Sequence, residues 1–117
     1  MKILFILNHP PYGTEHSYNA LRLANALIKN DAATAVTVFL MADAVLCAKK
    51  GQKTPEGYYN LERMIKRFAS GNHALLLCTA CMDARGFTDT ELVEGARRSS
   101  MDELAKATLA ADKVLTF

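Results

Sequence analysis

Two cysteines stand three residues apart in the stretch Cys78-Thr-Ala-Cys-Met-Asp-Ala-Arg-Gly86, directly after the apolar run Ala74-Leu-Leu-Leu77. Thiols at this spacing can close a reversible disulfide, supply half of a metal site or carry sulfur as nucleophiles. They can also be inert, since free cysteine packs as a small apolar side chain. The thiolate is the reactive form, and nearby positive charge favours it. Arg85 lies seven residues beyond Cys78, in a loop that can fold back towards the sulfur. Gly86 can take the positive φ that such a turn needs. Asp83 would oppose ionisation if it faced the sulfur, and the simpler expectation is that it pairs with Arg85 or holds the loop.

A structural zinc needs four ligands. Cys47 and one of His9, His16 or His73 would have to converge on the pair, and the sequence has no second Cys-x-x-Cys. No metal is expected. A thioredoxin-like motif places its first cysteine at a helix start, whereas residues 82–86 read as a loop. Cys47 lies inside Ala44-Val-Leu-Cys-Ala48 and reads as a core thiol. For Cys78 both packing and chemistry stay open, while Cys81 sits farther into the polar segment.

These residues depend on the elements around them. Residues 2–7 and 34–41 are apolar runs of the kind that form strands buried on both faces. Residues 73–77 form a third strand ending at Cys78. Residues 95–98 suggest a brief fourth, and 113–117 a last one. Between the first two strands, Ala20, Leu23, Ala24 and Leu27 recur at helical spacing, with Thr14 as N-cap and Glu15 in the first turn. Asp43 is placed to cap a short helix through Ala48. Asn60 caps a helix carrying Leu61, Met64, Ile65 and Phe68, which Gly71 and Asn72 end. Thr88 caps a short turn, and Ser100-Met-Asp-Glu103 is a capping box for a helix from Met101 to about Ala110.

Alternating strands and helices predict one α/β domain over residues 1–117, a three-layer αβα arrangement with a mainly parallel sheet of about five strands. In such sheets ligands bind beyond the carboxyl ends of the strands. The loops at 8–13, at 42–59 and at 78–86 fall there. In the first loop, His9 and His16 are the ionisable groups, and each is expected to be a surface or capping histidine. The helix that follows would present free N–H groups to an anion. Tyr58-Tyr59 reads as a loop anchor or an interface contact.

The net charge is only +2, and the short basic clusters Lys49-Lys50 with Lys53 and Arg97-Arg98 sit among acids. Direct nucleic-acid binding is therefore not expected. The longest apolar tract, residues 36–48, is broken by Thr37 and Asp43 and falls short of a bilayer span. With a five-residue apolar start too short for a secretory core, the expectation is a soluble cytoplasmic protein that does not bind membranes.

The order of Pro10-Pro-Tyr-Gly13, Phe39-Leu-Met-Ala-Asp-Ala-Val45, Gly51-Gln-Lys53, the Cys78 to Gly86 stretch and Ala111-Asp-Lys-Val-Leu-Thr-Phe117 resembles the DsrE/DsrF-like family, in its YchN-like branch. The resemblance covers almost the whole chain. It implies a ring-like homo-oligomer, a trimer or a hexamer of two trimers. It also implies a sulfur-relay, sulfurtransferase-like role without a cofactor, between donor and acceptor proteins. The carrier cysteine of the family precedes the glycine of an Arg-Gly pair by eight residues, which is the position of Cys78. Cys81 then stands as its partner or resolving thiol, and Arg85 as a stabiliser of the sulfur anion. Two other readings stay open: an oligomeric module holding a small anion, and a Cys78–Cys81 redox sensor.

Overall fold

The computed structural model describes residues 1–68 and 72–117. Five strands form one sheet: β1 (Lys2–Leu7), β2 (Ala35–Leu40), β3 (Ala74–Cys78), β4 (Ala96–Ser99) and β5 (Lys113–Thr116). Their order is β4-β3-β2-β1-β5, and every pairing is parallel. The expected three-layer α/β domain is thus the observed one.

The side-chain alternation of the strands separates two cores. Ile3, Phe5 and Leu7 of β1, Val36, Val38 and Leu40 of β2, and Leu75 and Leu77 of β3 face one side. They meet Ala20, Leu21 and Ala24 of α1 (His16–Asn30), the 3₁₀ segment Ala42–Ala48, and Leu61 and Ile65 of α2 (Leu61–Ile65). Met82 of α3 (Thr79–Ala84) joins the same core. Leu4, Phe39 and Leu76 face the other side, where α4 (Met101–Ala110) covers them with Leu104. The first four strands step in one direction, so their connections share a face. The last connection crosses back to the far side of β1 and takes the opposite face.

Several local expectations are revised. The buried stripe of α1 is Ser17, Ala20, Leu21 and Ala24, and Leu23 is 41% exposed. Glu15 occupies the N-cap position without a side-chain bond, so Thr14 does not cap. Asp43 lies within the first turn of its 3₁₀ segment, after Met41 at the cap. Asn60 does cap α2, accepting from the Arg63 N–H, but the α-helix yields to 3₁₀ geometry over Lys66–Phe68. The expected terminator Gly71 lies outside the described residues. Thr88 and Glu91 close a full capping box. Ser100 accepts from the Glu103 N–H, while the Glu103 carboxylate turns to Arg97 and Ser99. Among the described residues no helix is long and apolar enough to cross a membrane.

The α4-side core rests on few side chains, and Leu104 is the buried anchor that the helix contributes. Leu104→Ala is expected to lower unfolding free energy by about 2–4 kcal/mol, through lost burial and an incompletely refilled cavity. Urea denaturation followed by far-UV circular dichroism measures it.

Candidate functional site

The parallel sheet brings the ends of β2 and β3 together, with Leu40 opposite Leu77. Cys78 is the last residue of β3 and the N-cap of α3. Its partly buried Sγ accepts the Cys81 N–H at 3.3 Å. The segment expected to be a loop is therefore a short helix. Its end is a Schellman arrangement: Phe87 N–H donates to Met82 O at 3.0 Å, and Gly86 N–H to Asp83 O at 3.1 Å. Gly86 supplies the left-handed residue, φ +63°, and Phe87 and Met82 are both buried. The strand-to-helix setting of Cys78 thus matches the thioredoxin-like placement more closely than the sequence suggests.

Burial pushes the Cys78 thiol above its ordinary pKa, and the facing Cys81 thiol adds to the rise. The backbone N–H groups of Cys81 and Ala80 act the other way. Burial wins, so the neutral thiol is favoured near neutral pH. A higher pKa reduces the thiolate fraction but makes each thiolate more nucleophilic.

Cys81 Sγ accepts a different amide, the Ala42 N–H, at 3.2 Å. Ala42 has φ +51°, a left-handed conformation that costs an L-residue about 1–2 kcal/mol. Arg85, the C-cap of α3, does not address Cys78. Its Nε donates to Asp43 Oδ1 at 3.0 Å, its Nη2 lies 2.9 Å from the same oxygen in an ion pair, and its Nη1 donates to Cys81 O at 3.0 Å. Nor does it pair with Asp83, as the sequence suggests. Asp83 instead accepts from Arg98 Nη1 at 3.0 Å.

Arg98 ties α3 to β4 and to the turn beyond. Nη2 donates to Phe87 O at 3.3 Å, Nη1 approaches Thr79 O at 3.5 Å, and Nε binds Asp89. Arg97 is held by Glu103 and Lys49 by Glu91, so both arginines of one basic cluster and the first lysine of the other are engaged in intramolecular pairs. Ala42, Asp43 and Arg98 also build the site, although from sequence Asp43 reads as a helix cap and Arg98 as part of a basic cluster. No glycine or asparagine marks position 42, and the partners of Asp43 and Arg98 are remote in sequence.

The other candidates lie apart from this centre. Cys47 is fully buried, its pKa pushed up to about 12 by that burial, so it belongs to the core as expected. His9 and His16 stack with ring centroids 4.1 Å apart. The His9 carbonyl accepts the Ser17 hydroxyl at 2.7 Å. Tyr12, Tyr18, Tyr58 and Tyr59 form an aromatic stack over the long loop. Gln52 anchors that loop, donating to Cys47 O and Lys49 O at 2.9 Å and accepting from the Tyr12 hydroxyl at 2.6 Å. Among the described residues no cluster of three or more His, Cys, Asp and Glu side chains could hold a metal ion.

Beside Cys78 opens a largely apolar pocket of about 530 Å³, lined by Phe39, Ala80, Ser99, Ser100 and Met101 among others. A thiol with an amide donor at its sulfur and an apolar hollow at its flank, on the carboxyl edge of a parallel sheet, defines a strand-end cysteine site in an open α/β fold. The chain matches the DsrE/DsrF-like family across residues 1–117 and belongs to it. It is 42% identical to Protein YchN of Escherichia coli over 116 residues, 99% of this chain and 98% of that protein. The crystal structure of that protein superimposes with a TM-score of 0.93, covering 99% of this chain and 98% of the other. The Methanocaldococcus jannaschii protein MJ0989 is 34% identical over the full length of both. Sulfurtransferase TusD of Cronobacter sakazakii is 27% identical, again over all of both chains.

Iodoacetamide is expected to alkylate Cys78 in the native protein at a rate that rises through and above pH 9, with a midpoint above that of free cysteine. Cys47 is expected to react only once denaturant is added. Peptide mapping across a pH series checks both.

Proposed function

We propose that this protein relays sulfane sulfur between proteins, holding it as a persulfide on Cys78. The observation that carries the proposal is the setting of Cys78: a strand-end helix cap whose sulfur receives an amide N–H and flanks an open pocket. Family membership and the likeness to a protein named as a sulfurtransferase support the same chemistry.

The Cys78 thiolate attacks the outer sulfur of a donor persulfide. The donor's S–S bond breaks, and the donor thiolate leaves with the electron pair. In the onward transfer an acceptor thiolate attacks the terminal sulfur, and Cys78 is the leaving group. The Cys81 N–H, 3.3 Å from Sγ, steadies the negative charge of that leaving thiolate. Arg85 contributes indirectly: its hydrogen bonds fix the Cys81 carbonyl and Asp43, and so the pitch of α3. The partners are donor and acceptor proteins, and the working assembly is a homotrimer or homohexamer in the cytoplasm.

The thioredoxin-like placement of Cys78 favours a second reading, a Cys78–Cys81 thiol–disulfide sensor. The two readings differ in whether sulfur is gained. Exposure of the reduced protein to a cysteine desulfurase with cysteine is expected to add about 32 Da, one sulfur on one thiol. The added mass should map to Cys78 and be absent from Cys78→Ser. In Cys81→Ser it is expected to persist longer than in wild type. Loss of two hydrogens in wild type, with no sulfur gained by Cys81→Ser, would replace the relay by the sensor. Unreactive thiols would leave the oligomeric binding module.

A further inference from the structure

Ala42 is the one non-glycine residue with positive φ among the described residues. A left-handed alanine has no local reward, so the surroundings must hold it. Two contacts do, and both end on Cys81. The Ala42 N–H meets the Cys81 sulfur at 3.2 Å. The next residue, Asp43, accepts from Arg85 Nε and is ion-paired with its Nη2, while Arg85 Nη1 donates to the Cys81 carbonyl. The Asp43 side chain is 57% exposed, so the ion pair contributes little stability. Its consequence is geometric.

We propose that Ala42 and Asp43 are positioning residues for Cys81, holding its sulfur beside Cys78 so that it attacks Cys78 Sγ when a second sulfur is bonded to it. In its biological form this rests on the persulfide reading of Cys78. The Cys81 thiolate, its proton given to solvent, attacks Cys78 Sγ. The bond from Sγ to the outer sulfur breaks, and that sulfur leaves as hydrosulfide with the electron pair. The sulfane sulfur is reduced to sulfide, and the two cysteines are oxidised to a disulfide. Holding the two sulfurs together makes the attack unimolecular, and small displacements cost such steps heavily. The turn at the end of β2 then governs whether cargo is passed on or released as sulfide.

An aryl disulfide tests the positioning without any sulfur donor. Reaction of the full chain with dithiobis(nitrobenzoate) first places thionitrobenzoate on Cys78 and releases one nitrothiolate. Attack by Cys81 then releases the second, at a rate independent of protein concentration. Cys81→Ser is expected to give the first release only. Asp43→Asn and Ala42→Val are expected to leave the first phase within about twofold and slow the second about tenfold or more. Asp43→Glu, which keeps a carboxylate for Arg85, is expected to restore it. A second phase that keeps its wild-type rate in Asp43→Asn and Ala42→Val overturns the proposal. So does a parallel slowing of both phases with a lowered melting temperature, which marks a purely structural role. Failure of the relay reading would appear separately, as no sulfur gained by Cys78 in Cys81→Ser in the mass measurement.

Discussion

The pairing of β2 with β3 is the constraint on which the site depends. Leu40 lies opposite Leu77, so Ala42, two residues past β2, and Cys78, the last residue of β3, emerge at one edge. From there the Ala42 amide can reach Cys81, and Asp43 can reach Arg85. Side chains alternate with period two along a strand, so a one-residue slip would turn every β3 side chain to the opposite face. The slip is prevented by burial on both faces. Leu75 and Leu77 are locked into one core, and Leu76 into the other.

Two opposing effects act on Cys78. Desolvation holds the thiol neutral, while backbone N–H groups at the sulfur favour the anion. A sulfur carrier of the kind proposed needs some of each. A readily ionised cysteine is a good leaving group but a weaker nucleophile, and a buried one is the reverse. The short helix after β3 achieves the compromise with backbone alone, since Arg85 spends its donors on Asp43 and the Cys81 carbonyl. Two arginines pin that helix from opposite sides, Arg85 to the end of β2 and Arg98 to β4. Their role is mechanical, in keeping with partly exposed pairs whose net energies are small.

Much of the fold was legible in the chain. The three central strands are legible because buried parallel strands write themselves as continuous apolar runs, whereas the edge strands β4 and β5 are short and more exposed. The caps at Asn60, Thr88 and Ser100 were legible for a similar reason: one side chain meets an N–H a few residues away. Residues 79–84 were misread because six residues offer no helical period, although Gly86 marks the end of the helix. Leu23 was assigned to the buried stripe of α1, but spacing gives a face and not its direction. Ser17 is buried there instead, its hydroxyl satisfied by the His9 carbonyl.

The sequence alone determined the layers, the sheet edge that holds the candidate site and the two cysteines that lie there. Those properties follow from local pattern and from the topological rule for parallel sheets. Only the tertiary structure decided which charges meet. Asp83 was expected with Arg85, its near neighbour, and pairs with Arg98 across the sheet edge. Arg85 crosses to Asp43, a separation of 42 residues. It also decided that an alanine would adopt a left-handed conformation to aim its amide at Cys81. The physical reason is common to all three. Each contact joins strand ends distant in sequence, and its geometry exists only once the register of β3 against β2 and β4 is set.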